Sequence, residues 1–362
     1  MTTHTLRVRP DKIASVCSPF ELGPYLSLRR QPVAEEGAAV VGRVLTVNQQ
    51  YGHLELRSGR PAQLVPGDLI VGVLGARAAL RGFCGRVPTK LEAGDELWLL
   101  NKGGVIGESD GATVGLGQPI RIEIIGTPER DDKPLRLSDY AMPRTRELPA
   151  RMPPVLLVAA TCMHSGKTTA AGAVTRFLTS AGLRVHAGKA TGVAAVADLL
   201  VFADNGAQMT LSFLDAGAPS TCYRKDVPEI TRTLLTHLAA EQPDAIVLEL
   251  GDGLFGAYGV DEILDDKELA AATSTALVAA NDVIGGWAAA ERLRERGIAV
   301  ASITGRATDN EAGRSKLRKL GYAANNIFQQ AEELYRVCCE GLGIAVPEGA
   351  RAIGPEAPAH DE

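Results

Sequence analysis

Residues 158–170 read V-A-A-T-C-M-H-S-G-K-T-T-A. Gly166-Lys167-Thr168 is the closing half of the phosphate-loop pattern G-x-x-x-x-G-K-[ST], and counting back from Lys167 puts Thr161 where the opening glycine stands. A loop that cradles phosphate needs a strand feeding a tight turn, inward-facing backbone N–H groups, a helix N-terminus, a lysine and a hydroxyl for a metal ion. The sequence supplies them in order: the apolar strand PVLLVAA, the turn TCMHSG, a helix expected from Lys167 to Ala181, Lys167 itself and the Thr168 hydroxyl. Thr161, Cys162, Met163, His164, Ser165, Gly166, Lys167, Thr168 and Thr169 are therefore the expected cofactor-binding residues. Cys162 and His164 are too few for tetrahedral zinc and have no spaced partners, so they are expected to fill the loop.

Beyond the loop, the strands LRVHAGK, DAIVLEL, TALVAAN and IAVASITG alternate with alanine-rich helical stretches. Fully apolar strands in that alternation predict a parallel sheet covered by helices on both faces, an α/β fold. Chemistry-bearing residues recur at the strand ends. Lys189 closes the second strand, where an ammonium can reach a substrate anion or a phosphoryl group. Glu249 closes DAIVLEL ahead of a glycine-rich loop, a position suited to holding Mg²⁺, with Asp252 as its rival. Asp204 sits at a D-N-G turn and is preferred as a metal ligand over Asp198, whose apolar surroundings suggest a helix face or cap. The G-A-P-S-T run at 217–221 either meets a substrate carboxylate or forms a turn. Loops at Asn281-Asp282 and 304–310 fall at the same sheet edge, where a nucleotide base would lie. No N-K-x-D signature for guanine occurs, which favours ATP over GTP.

The run Ala160-Thr161-Cys162-Met163-His164-Ser165-Gly166-Lys167-Thr168 resembles the loop G-T-D-x-x-x-G-K-T of dethiobiotin synthetase, with Ala160 for its glycine and Cys162 for its aspartate. Lys189-Ala190-Thr191-Gly192 resembles that group's K-P-x-x-T-G segment. The strand ending in Glu249 resembles its strand-E-G-A-G-G segment, with Leu250 inserted. Residues 151–345 thus resemble P-loop NTPases of the dethiobiotin synthetase and cobyrinic acid a,c-diamide synthase type, which are SIMIBI-like. The resemblance implies ATP and Mg²⁺, and transfer of the γ-phosphoryl group to a carboxylate or carbamate whose acyl phosphate an amine then captures. It also implies roles: Lys167 cradles the β- and γ-phosphates; Thr168, Asp204 and Glu249 order the metal; Lys189 steadies the transferring group. Lys167, Lys189 and Glu249 are then the catalytic candidates of a ligase or kinase. A homodimer is common in the group. The alternative is a nucleotide-hydrolysing switch or metallochaperone-like NTPase acting on a protein partner, or a non-catalytic ATP-binding regulator.

The first part of the chain has another texture. Between residues 37 and 140 short β-rich runs (AAVVGRVLTV, HLELRS, GDLIVGVLG, DELWLLN, IRIEIIG) are broken by glycine turns, which predicts a small β-barrel or sandwich. An N-terminal segment (1–36) precedes it. A proline- and charge-rich linker (141–154) follows, then the nucleotide-binding α/β domain (155–345) and a tail (346–362) expected to be disordered. Arg77, Arg81 and Arg86 either contact an anion or are surface arginines.

At 362 residues, 45% hydrophobic and a net charge of −5, the chain has enough apolar sequence for two cores. No basic stripe with interleaved aromatics appears, so a small-molecule carboxylate or amine is expected as partner and nucleic acid is not. No apolar run spans a bilayer and the first residues lack a signal-peptide core, so no membrane is expected and the protein is expected in the cytoplasm. The six cysteines lack C-x-x-C spacing and are expected as reduced thiols.

Overall fold

The glycine-punctuated runs of the first part form a sheet that closes on itself. The computed structural model describes residues 6–346 and 354–355. It divides into two units, one of Met1–Arg144, Gly192–Ala197 and Phe213–Arg224, the other of Thr145–Thr191, Asp198–Ser212 and Lys225–Glu362. In the first unit the strand Ile120–Arg130 pairs with Ala39–Val44, which pairs with Leu69–Leu74, which pairs with Val105–Ala112. Glu96–Leu99 then joins Val105–Ala112 back to Ile120–Arg130, completing a ring of five strands. Closure removes the unpaired edges that an open sheet leaves to water. Two strands long enough to serve more than one partner bend where the register shifts, between Ile124 and Gly126 and between Ser109 and Gly111. Of the two expected forms, barrel or sandwich, the ring is a barrel.

Strands at Leu6–Val8, Lys12–Ile13 and Leu26–Arg29 pair into the same sheet, so the N-terminal segment is part of the unit. The segments 192–197 and 213–224 join it too, and they bridge each other at Val193 and Ser220. Buried Glu55 accepts from Val196 N–H at 2.7 Å and Ala197 N–H at 3.2 Å. The hydroxyls of the 217–221 run are spent internally: Thr221 accepts from Gly192 N–H at 3.0 Å and Ser220 from Cys222 N–H at 3.1 Å. That run is a turn. Arg77 is no surface arginine, because it is buried with its guanidinium donating to the Leu100 carbonyl. Arg81 is exposed, and Arg86 pairs with Glu108 and Asp110.

The second unit is the expected α/β fold. Its six parallel strands lie in the order Met209–Ser212, Val185–Thr191, Ala245–Leu250, Val155–Ala160, Thr275–Ala279, Val300–Thr304. The helices are α1 (Lys167–Ser180), α2 (Val196–Asp204, entering from the other unit's segment), α3 (Val227–Ala239), α4 (Val260–Asp265), α5 (Lys267–Ala272), α6 (Val283–Arg294), α7 (Glu311–Lys319) and α8 (Ala331–Leu342). Every residue of the Val155–Ala160, Ala245–Leu250 and Thr275–Ala279 strands is buried, which accounts for their apolar sequence apart from Glu249 and Thr275. The core over α1 centres on Val174, Phe177, Leu178, Phe202 and Tyr335. Phe177 and Tyr335 stack with ring centroids 4.4 Å apart. No helix among the described residues is long and apolar enough to cross a membrane. All six cysteines are free, and burial pushes the thiols of Cys17 and Cys338 up, which keeps them protonated. The tail beyond residue 346 lies outside the described residues, apart from 354–355.

Replacing Phe177 with alanine removes the stack with Tyr335 and leaves a void where its ring packs into the core. We expect a loss of about 3 kcal/mol in the unfolding free energy, read from denaturant melts.

Candidate functional site

The phosphate loop joins the Val155–Ala160 strand to α1, the two elements that its sequence calls for. Thr161 N–H donates to the Ala279 carbonyl at 3.1 Å, and the Ser165 hydroxyl closes the turn on the Cys162 carbonyl at 2.7 Å. Gly166 (φ +94°) turns the chain through the left-handed region into α1, where glycine costs least. His164 also sits at φ +58°, exposed on the loop. Cys162 is half-buried; Asn281 Nδ2 donates to its Sγ at 3.0 Å, and Sγ lies 3.2 Å from the Met163 carbonyl. The thiol fills the loop. Thr169 is exposed beside Thr168.

Neighbouring loops press on this turn closely enough to demand glycine. A Cβ at Gly253 would lie 2.5 Å from the Thr161 carbonyl oxygen, and one at Gly305 would lie 2.4 Å from that of Ser165. The loops after the Ala245–Leu250 and Val300–Thr304 strands therefore wall the phosphate loop, with Asn281 on a third.

Register brings the charged residues together. In the parallel ladder Glu249 stands opposite Val158 on one side and Lys189 on the other. Paired positions in a parallel sheet send their side chains to the same face. Glu249 is fully buried, and its Oε1 accepts from the Thr168 hydroxyl at 3.1 Å and lies 3.8 Å from Lys189 Nζ. Its Oε2 is buried with no hydrogen-bond partner among the described residues. Lys189 also forms an ion pair with Asp198, in the first turn of α2. Lys167 is 8% exposed and Asp252, at φ +64°, equally so.

The two lysines behave differently. Burial holds the Lys167 ammonium below its ordinary pKa, with Lys189 adding repulsion and Glu249, Asp252 and Asp198 only partly offsetting it. Burial also pulls Lys189 down, but Asp198 and Glu249 outweigh it and raise that group to about 12. Lys189 is thus a fixed cation.

Of the residues expected at the site, Lys167, Thr168, Lys189 and Glu249 come together. Asp204 does not: it is exposed at the end of α2, six residues and about 9 Å of helix beyond Asp198. Asp198 pairs with Lys189, and Asp252 lies close enough to act on both lysines. Asp198 lies in the first turn of α2, in keeping with the helix face or cap that its apolar surroundings suggest, and its carboxylate pairs there with Lys189. Among the described residues no three His, Cys, Asp or Glu side chains converge as a ready-made metal cage. Mg²⁺ does not ask for one, since it is held by one or two carboxylates with water and phosphate oxygens. A buried Glu249 oxygen without a partner, beside the Thr168 hydroxyl, fits such an ion.

No family model and no curated protein matches the chain. Among solved structures it is similar to the signal recognition particle 54 kDa protein of Aeropyrum pernix K1 in complex with GDP: 19% identity, 54% of this chain and 47% of that one, TM-score 0.36. It is also similar to chloroplast FtsY of Physcomitrella patens, at 17% identity over 57% of this chain and 70% of that one, TM-score 0.36. The kinase domain of the Escherichia coli tyrosine kinase ETK matches at 12% identity over 41% and 66%, TM-score 0.30. The first match spans about half the length of its chain.

Amine acylation separates the lysines, because only the neutral amine reacts. At pH 9, trace acylation followed by peptide mass spectrometry is expected to mark Lys167 ahead of Lys189. Replacing Asp198 with asparagine removes the main support of the Lys189 ammonium and should speed its labelling by about tenfold per pKa unit lost. Equal labelling of Lys189 in both proteins would contradict the ion pair's role.

Proposed function

We propose that the protein is an ATP- and Mg²⁺-dependent enzyme that activates a small-molecule carboxylate by phosphoryl transfer, as a ligase or kinase. The observation that carries this is the buried Glu249 carboxylate with one free oxygen, set between the Thr168 hydroxyl and the Lys189 ammonium at the mouth of a phosphate loop. Phosphoryl transfer demands positioning and charge neutralisation more than covalent help from the protein. When bound, Mg²⁺ supplies charge neutralisation across the phosphates.

The chain's residues supply the rest. Backbone N–H groups of 162–168 and the N-terminus of α1 would face the phosphates, and Lys167 follows them from the same turn. Thr168 and Glu249 hold the metal. Lys189, kept protonated by Asp198, presents a fixed positive charge to the transferring group and does not serve as a base. The loops at Gly253 and Gly305 pack closely against the turn and hold its shape. ATP is preferred here on the absence of a guanine signature in the sequence.

The test measures ADP and phosphate release with Mg²⁺-ATP, with and without a pool of small carboxylates and amines, beside direct nucleotide titration. Lys167→Ala is expected to weaken nucleotide binding by between about tenfold and a hundredfold. Release should rise with the pool in the native protein and vanish in the variant. Unchanged affinity in Lys167→Ala, or release indifferent to every metabolite, would discard this function and favour a switch acting on a protein partner.

A further inference from the structure

A cavity of about 710 Å³ opens beside Thr168 and Thr169 and follows helix α1 to Ser180. Its size suits a small metabolite. Ala173, Phe177 and Val201 give it an apolar floor. Gly172 shapes that floor: a Cβ there would lie 2.8 Å from Val201 Cγ1 and 3.1 Å from Asn205 Nδ2, so the missing side chain is what lets α2 close on α1.

One charge in the lining is unanswered. The guanidinium of Arg176 makes no ion pair or hydrogen bond among the described residues. In the same unit Arg232 holds Asp266, Arg292 holds Asp261, Arg296 holds Asp265 and Arg314 holds Glu311. Arg176 is exposed at the rim of the apolar floor and has no partner among the described residues; such an arginine fits a carboxylate brought by a ligand, which its planar fork binds through two parallel hydrogen bonds.

Spacing narrows the ligand further. Arg176 lies eight residues after Thr168, about 12 Å along the helix, and its side chain leans back toward the N-terminus. The gap between guanidinium and phosphate loop then suits an aliphatic spacer on the order of four to seven carbons.

We propose that this cavity is the acceptor site and binds an α,ω-dicarboxylate. The distal carboxylate rests on Arg176, the spacer lies on Ala173, Phe177 and Val201, and the near carboxylate meets the phosphate loop at Thr168 and Thr169. The assignment of the near carboxylate as the reacting group rests on the proposed function; the site itself does not.

The experiment is calorimetric titration of the full chain with succinate, adipate, suberate and hexanoate, each with and without Mg²⁺ and a non-hydrolysable ATP analogue. One dicarboxylate of the series is expected to bind at least about tenfold tighter than hexanoate, which matches adipate in length but lacks the second charge. Arg176→Gln should abolish that preference and Arg176→Lys keep part of it, while analogue affinity stays at the native level in both. A protein that refuses the analogue yet keeps the Arg176-dependent preference retains the acceptor site and loses the phosphoryl-transfer function. A native protein without the preference in either condition, or Arg176→Gln with the preference intact, overturns the site.

Discussion

Glu249 is a carboxylate with no access to water, and the architecture of the second unit follows from making that tolerable. A lone buried carboxylate is costly to charge, and its cost is met only by partners in fixed geometry. The partners come from three elements. Thr168 begins α1, Lys189 ends the neighbouring strand, and the strand of Glu249 itself lies between the phosphate-loop strand and that of Lys189. If the ladder slipped by one residue, Glu249 and Lys189 would face opposite sides of the sheet, and the carboxylate would be buried alone. Register, loop and charge pair are one constraint. The arrangement still leaves Oε2 without a partner among the described residues, which a purely structural ion pair would not require.

This explains which parts of the site were legible in the sequence. The phosphate loop declares itself because its demands are local: a strand, a turn of about six residues, a helix, a lysine and a hydroxyl in one short run. Lys189 and Glu249 were legible because apolar strands show where they end, and residues at the ends of parallel strands gather at one edge. Asp198 and Asp204 could not be told apart in that way. Both lie on α2, and only the angle at which that helix leaves the sheet decides which carboxylate meets Lys189. Turn chemistry at D-N-G pointed to Asp204, but the turn serves to end the helix.

The first unit teaches the complementary lesson. Alternating short strands told of an all-β fold, and the choice between barrel and sandwich lay in pairings between residues far apart in sequence. Glu96–Leu99 closes the ring by pairing with both Val105–Ala112 and Ile120–Arg130, and four residues of ordinary composition carry no mark of that double duty. Nor does the sequence announce that 192–197 and 213–224 belong there, because they interrupt a run of α/β elements. Arg77 illustrates the same limit: a buried arginine that serves a carbonyl cannot be distinguished from an exposed one by its neighbours in the chain.

Cys162 shows how a departure from a pattern can be consistent with the charges around it. The lysine cluster already holds two ammonium groups, Lys167 and Lys189, against three carboxylates, Asp198, Glu249 and Asp252. A fourth carboxylate on the loop, where the resembling pattern carries aspartate, would add negative charge beside the backbone N–H groups that must receive phosphate. The Cys162 side chain fills the same space and accepts from Asn281, so the loop keeps its shape without a carboxylate there. Asp252, at φ +64° in the loop across the turn, already supplies an acidic group near both lysines. Strain of that kind in a non-glycine residue persists where the surrounding structure fixes it, and it gathers at functional sites. The acidic group near the two lysines thus stands on the loop that faces the phosphate loop.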